Sequence, residues 1–321
     1  MKTIQQYAQI IENEIAKLNL DKSPLGLYAP IRYALEAGGK RLRPVLALAV
    51  ADAIAGNCEV AMNQALAVEM FHNFTLLHDD VMDKADVRRG RPSVHKKYNE
   101  STAILSGDAM LTLATQLAVK DCDTSTLRPV LHMFNTTAME VYEGQQYDMD
   151  FESRNDVSID EYMEMIRLKT SVLLGCACGL GAIMAGAVPG VVKAMYAYGE
   201  KLGLSFQLKD DWLDTSGKPE TFGKPVGGDI LNEKKTWLLI NAISEDCDGI
   251  IAGVLGKEMA PEKKIATVRE VYDRLGLSER CRALELRYAA EAVKCLDDAQ
   301  LSAVPRKFFE DLALNSVNRD K

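Results

Sequence analysis

Apolar residues recur at helical spacing along almost the whole chain. Between Val60 and Asp83, Leu66, Met70, Phe71, Phe74 and Leu77 form a stripe of period 3.6. The same spacing predicts helices over Ile4–Leu18, Pro44–Ala55, Ala103–Val119, Leu127–Met149, Ile159–Ile183, Val191–Leu213, Ile230–Ile243, Lys263–Leu275 and Glu279–Leu296. Breaks fall at Asn19–Pro24, Gly38–Gly39, Gly56–Asn57, Gly90–Pro92, Pro189–Gly190, Ser216–Gly228, Gly256–Pro261 and Val304–Pro305. These are the short connections of a helix bundle. No alternating β-branched run is long enough to predict a strand, and no Pro/Gly/Ser-rich linker divides the chain. The expectation is a single all-α domain over residues 1–321, a bundle of roughly ten to thirteen helices.

Thr170 to Val192 carries no charged residue and is long enough to span a bilayer. Gly175, Gly179, Gly181, Gly186 and Gly190 interrupt it, and large lipid-facing side chains are few. A helix buried on all sides and closely packed through small residues is the expectation, with no transmembrane segment. Met1–Glu14 has no apolar run of a secretory signal. Seven dispersed cysteines form no C-x-x-C pair, and Cys176 and Cys178 read as small buried hydrophobes. Together these predict a cytoplasmic protein. A net charge of −8 excludes a general nucleic-acid binder, so phosphate handling must come from local cationic clusters.

The most specific signal is a repeated acidic pattern. His78-Asp79-Asp80-Val81-Met82-Asp83 and Lys209-Asp210-Asp211-Trp212-Leu213-Asp214 share D-D-x-x-D, each at the end of a long helical pattern. On a helix, Asp79 and Asp83 lie on one face about 6 Å apart along the axis, as do Asp210 and Asp214; Asp80 and Asp211 are turned aside by about 100°. Carboxylates crowded at a helix C-terminus oppose one another and the macrodipole unless a cation neutralises them. A single such motif reads as a solvated acidic helix end. Two copies in matching apolar contexts favour metal binding, and hard oxygen donors suit Mg²⁺ completed by water and substrate phosphate. A di-iron bundle is a weak alternative. Glu69 and His72 form one Glu-x-x-His, but no second pair exists.

Four basic clusters accompany the acids: Lys40, Arg41 and Arg43 after Gly38-Gly39; Arg88, Arg89 and Arg91; Lys169 before Thr170; and Lys224 followed by Lys234 and Lys235. Any one could be a solvated surface run. Beside paired carboxylates, they fit two diphosphates, one bridged to the acids through Mg²⁺ and one held directly by Lys and Arg.

The segments GGKRLRP (Gly38–Pro44), HDDVMD (His78–Asp83), RRGRP (Arg88–Pro92), GDAML (Gly107–Leu111), GQQYD (Gly144–Asp148), Lys169-Thr170, GLSFQLKDDWLD (Gly203–Asp214) and GKPVGGD (Gly223–Asp229) resemble, in order and spacing, the trans-prenyl diphosphate synthases of the polyprenyl synthetase family. The resemblance implies an all-α bundle around a central cavity and a homodimer. It also implies a transferase of isoprenoid biosynthesis that condenses isopentenyl diphosphate with an allylic diphosphate. Asp79, Asp83 and Asp210 would be direct ligands in a three-Mg²⁺ cluster, with Asp80, Asp211 and Asp214 acting through water or neighbouring groups. Arg88, Lys169 and Lys224 would hold the allylic diphosphate, and Lys40, Arg43, His72 and Arg89 the isopentenyl diphosphate. Lys234, from the cluster that follows the second acidic motif, is a further diphosphate-binding candidate. Thr170 and Gln207 could turn oxygen dipoles toward a developing allylic cation.

In that family an aromatic five residues before the first aspartate suggests a short product. Here it is Phe74, about 7.5 Å deeper along the helix, followed by Thr75. The expected product is farnesyl or geranylgeranyl diphosphate. A non-catalytic subunit of a heteromeric synthase would be expected to lose acidic or basic motifs. A terpene cyclase or head-to-head condensing enzyme would need no isopentenyl diphosphate site. The retained motifs weigh against both.

Overall fold

The structure, a computed structural model, describes residues 1–217 and 227–317. Their regular elements are almost wholly helical, as the spacing predicts, and the residues divide into two compact units: Met1–Thr136 with Cys176–Tyr196, and Thr137–Gly175 with Ala197 onward.

In the first unit, α1 (Ile4–Ile15) opens with a capping box in which Thr3 and Gln6 satisfy each other's backbone amides. Then come α2 (Leu25–Leu35), α3 (Leu42–Ala55) and α4 (Met62–Met82). A two-residue-per-strand hairpin follows, β1 (Val87–Arg88) with β2 (Arg91–Pro92), then the short α5 (Val94–Lys97) and α6 (Glu100–Val119). The core is α3, where every residue from Val45 to Ala51 is fully buried. Its apolarity on all sides is what total enclosure requires.

Helices α7 (Leu127–Glu152), α9 (Val172–Met184) and α10 (Pro189–Ser216) contribute residues to both units. The uncharged stretch becomes α9, whose residues 172–183 are all buried. A Cβ on Gly181 would stand 2.3 Å from the Ala47 carbonyl oxygen, and one on Gly179 would stand 2.5 Å from Met133 Sδ. The glycines let α9 lie directly on α3 and on the start of α7, as the small-residue reading anticipates.

The second unit adds α8 (Ile159–Ile166), α11 (Gly228–Leu231), α12 (Trp237–Glu245), α13 (Ile250–Val254), α14 (Pro261–Arg274), α15 (Leu277–Cys295) and α16 (Ala303–Val317). Its core joins Phe151, Tyr162, Leu208, Trp237, Tyr272 and Leu277.

Two predicted helices are divided. Ile159–Ile183 is split by a π-helical turn, Arg167–Ser171, that separates α8 from α9. Ile230–Ile243 breaks between α11 and α12 because Glu233 takes a left-handed backbone (φ +51°) and Thr236 caps α12 by accepting from Leu239 N. Helix α2, with Pro30 in its interior, lies outside the predicted set, as do α16 and the hairpin.

Candidate active site

In the first unit the acidic motif closes α4. Asp83 is its C-cap, and its backbone N–H donates to the Asp79 carbonyl at 2.8 Å, so Asp79 and Asp83 stand one turn apart at the negative end of the helix dipole. Asp79 is half-buried and Asp83 exposed. Asp80, turned aside, is buried and accepts from Arg88 Nε at 2.9 Å. Arg88 is brought there by the hairpin, whose turn residues Arg89 (φ +51°) and Gly90 (φ +74°) both take the left-handed conformation that tight hairpins need.

The hairpin also delivers Arg89, whose guanidinium donates to the Gly38 carbonyl. A side chain at Gly39 (φ +137°) would meet that guanidinium at 2.9 Å, so glycine is what lets the two loops touch. At the start of α3, Arg43 Nη1 lies 3.2 Å from His72 Nε2. Burial and the cationic neighbours Arg43, Arg89, Arg88 and Arg41 hold the His72 imidazole well below its ordinary pKa. His72 is therefore neutral at pH 7. Its Nε2 accepts from Arg43, which places the ring proton on Nδ1. Lys40 is exposed on the same loop. Glu69 is engaged by Arg41 and Asn73, and His72 by Arg43, which leaves the di-iron reading without its one Glu-x-x-His pair.

In the second unit, Lys169 and Thr170 sit on the π turn, an element that recurs at functional sites. Glycines on both flanks admit it. A Cβ on Gly144 of α7 would stand 2.3 Å from Lys169 N, and one on Gly203 of α10 would stand 2.6 Å from Ser171 Cα. Lys169 Nζ pairs with Asp148 at 2.5 Å, and Lys234 Nζ stands 4.0 Å from the same oxygen. Burial opposes the charge on Asp148, but Lys234 and Lys169 together hold its carboxyl below the ordinary range.

A hydrogen-bonded chain runs onward. Thr170 Oγ1 donates to Gln207 Oε1 (3.1 Å), Gln207 Nε2 donates to Asp211 Oδ1 (3.0 Å), and the buried Tyr162 hydroxyl donates to Asp211 Oδ2. Burial and the nearby Asp229 push the Asp211 carboxyl up to about 7. Asp214 is also buried, and its Oδ2 accepts from Asp229 N at 2.9 Å, fastening the start of α11. Asp210, half-buried on α10, is the motif's more open carboxylate. Lys224 lies outside the described residues.

Each unit thus carries a D-D-x-x-D motif at a helix end, with its second aspartate committed to a protein partner and with cations alongside. Among the described residues no group of three or more His, Cys, Asp or Glu could itself hold a metal ion. That donor set fits Mg²⁺, which takes one or two carboxylates and fills its remaining positions with water and substrate phosphate, better than it fits an ion that needs an all-protein cage. Sequence reasoning assigned no role to Asp148 or Tyr162. Asp148 stands within the quoted GQQYD segment, whereas no local signal marks Tyr162.

Before the first motif on α4, Phe74 is buried, edge to face with Phe71 (5.5 Å between centroids) and with His78 (4.8 Å). Thr75 Oγ1 donates to the His72 carbonyl at 2.9 Å.

Comparison with known proteins identifies the family. The polyprenyl synthetase family matches residues 25–274. A short chain isoprenyl diphosphate synthase of Methanothermobacter thermautotrophicus is 36% identical over 93% of both chains. A crystal structure of a geranylgeranyl pyrophosphate synthase, 42% identical, covers 100% of both chains with a TM-score of 0.95. The crystal structure of a geranylgeranyl pyrophosphate synthase from Corynebacterium glutamicum, complexed with isoprenyl diphosphate and magnesium, is 27% identical with a TM-score of 0.87. That match covers 99% of this chain and 100% of the other. The chain belongs to the polyprenyl synthetase family.

Proposed function

We propose that this prenyltransferase of the polyprenyl synthetase family joins isopentenyl diphosphate head-to-tail to an allylic diphosphate, releasing diphosphate and a trans-prenyl product of fifteen or twenty carbons. The observation that carries the reading is that cations stand at each acidic helix end. In one unit Arg88 is paired with Asp80 of the first motif. In the other Lys169 and Lys234 converge on Asp148, while Thr170, next to Lys169, is linked through Gln207 to Asp211 of the second. Asp79, Asp83 and Asp210 would hold Mg²⁺, three ions with the substrate bound, and the metal would neutralise charge that develops on the leaving diphosphate.

The protein's own groups do the rest. Arg88, Lys169 and Lys234 orient the allylic diphosphate, and Lys224 joins them. Asp80 aims Arg88, and Asp148 aims Lys169 and Lys234. Lys40, Arg43 and Arg89 hold the isopentenyl diphosphate, and neutral His72 donates from Nδ1. The allylic C–O bond breaks heterolytically, the Thr170 and Gln207 oxygens face the developing cation, and apolar walls exclude water. The double bond of isopentenyl diphosphate supplies the electrons of the new C–C bond. A proton then leaves the condensed product for the departing diphosphate. Phe74 ends the space open to the growing tail.

The exposed face of α6 supports a homodimer. That helix turns its small residues Ala103, Gly107, Ala114 and Ala118 inward and leaves Ile104 and Leu105 at 45% and 60% exposure. Its length and apolarity would also suit a bilayer, but Asp108, exposed in mid-helix, opposes that. A second copy of this chain covers the aliphatic face, and the dimer works in the cytoplasm.

The test is chromatography of the products formed from isopentenyl and dimethylallyl diphosphates with Mg²⁺. A fifteen- or twenty-carbon diphosphate supports the reading, and no prenyl product overturns it.

A further inference from the structure

Arg41 stands in the middle of the Gly38–Pro44 loop, between Lys40 and Arg43, yet its side chain turns into the protein. Its backbone is left-handed (φ +50°, ψ +29°), an unfavourable conformation for a residue with a side chain, and it forms the N-cap of α3 without a capping side-chain bond. Its guanidinium, 1% exposed, is enclosed by acceptors. Nη2 donates to the Leu35 carbonyl at 2.6 Å, Nε to Glu12 Oε1 at 2.7 Å, and Nη1 to Glu69 Oε1 at 2.5 Å. Glu69 Oε1 also accepts from Asn73 Nδ2 at 2.8 Å.

These contacts tie three helices to one loop residue. Glu12 comes from α1, Leu35 from the end of α2, and Glu69 and Asn73 from α4. Glu69 lies one turn before His72, and Arg41 two residues before Arg43. The pairs Arg41–Glu69 and Arg43–His72 are therefore successive rungs between the start of α3 and the same face of α4. A guanidinium buried against two carboxylates loses much of its hydration, and its planar fork fixes direction as well as distance.

We infer that Arg41, held by Glu12 and Glu69, is a positioning residue for the isopentenyl diphosphate site: it locks the strained turn that sets Lys40 and Arg43 at their working positions. This rests on the proposed function for the identity of the ligand. It assigns selective importance to Glu12, a residue on α1 outside every motif of the sequence.

The experiment compares wild type with Arg41→Met, Arg41→Lys and Glu12→Gln. Two quantities are read: KM for each substrate in the Mg²⁺ assay, and affinity for isopentenyl diphosphate by calorimetric titration in EDTA. For Arg41→Met the KM for isopentenyl diphosphate rises about tenfold or more while that for the allylic substrate stays within about twofold. Arg41→Lys, which keeps charge but not the fork, falls between, and Glu12→Gln shifts the same way by less. If Arg41→Met does not fold, Glu12→Gln, on a half-exposed side chain, decides. Unchanged affinity in the folded variants, or equal loss for both substrates, overturns the inference. Wild type that binds isopentenyl diphosphate in EDTA but forms no product sinks the proposed function alone, because the titrations still read Arg41. Wild type that does neither sinks both.

Discussion

Arg43 Nη1 donates to His72 Nε2 across 3.2 Å, so a histidine surrounded by arginines is kept neutral and serves as an acceptor. This has a consequence for stability. The folded-state pKa is depressed, so between it and the unfolded value near 6.5 the unfolded chain binds a proton that the folded chain does not. Stability associated with His72 is thus fully present above pH 6.5 and declines as pH falls below it, by up to about 1.4 kcal/mol per pH unit. Urea unfolding of wild type and His72→Asn from pH 8 to pH 5 checks this. The wild type loses more stability than the variant below pH 6.5; parallel curves would contradict the assignment.

The π turn depends on the absence of a side chain at Gly144. A Cβ there meets Lys169 backbone, which cannot swing aside as a side chain could. Gly144→Ala is expected to destabilise by about 1–3 kcal/mol and to lower activity by displacing Lys169. A methyl group added at Gly190, in the first turn of α10, would meet no neighbour within 4 Å, so Gly190→Ala is expected to be neutral or stabilising by up to about 1 kcal/mol. Denaturant midpoints of the two variants separate these outcomes.

Much of the fold was readable because periodicity reports which face is buried, and in α4, α6 and α9 that face is continuous. The division at Arg167–Ser171 was not, because Arg167, Leu168 and Lys169 are good helix formers and no Gly or Pro interrupts the segment. What inserts the extra residue is contact with Gly144 and Gly203, far away in sequence. Helix α2 was hidden by Pro30, which local rules read as a breaker although its neighbours α4 and α6 support the helix around it. In the site, charge and spacing pointed to the outward carboxylates and cations. They could not reveal Tyr162 beneath Asp211 or Glu12 beneath Arg41, since those pairings join residues 49 and 29 positions apart.

Phe74→Ala should lengthen the product beyond that of the wild type, since it removes the ring that Phe71 and His78 hold edge to face. It should also destabilise by about 3–5 kcal/mol if the neighbours do not collapse into the space. Product chromatography is the measure, and unchanged chain length in a folded variant removes Phe74 as the floor.

Leu105→Glu places a charge on the exposed aliphatic face of α6. Sedimentation analysis is expected to give a dimer for wild type and a monomer for the variant. A monomeric wild type would leave that face without the proposed occupant.

The most direct test of the central claim is the Mg²⁺ dependence of turnover in wild type, Asp79→Asn and Asp210→Asn. If the acidic helix ends act through Mg²⁺, each substitution lowers kcat by about a hundredfold or more and raises the Mg²⁺ concentration needed for half-maximal rate. Wild-type turnover in EDTA, or either variant retaining wild-type rate and Mg²⁺ response, would contradict it.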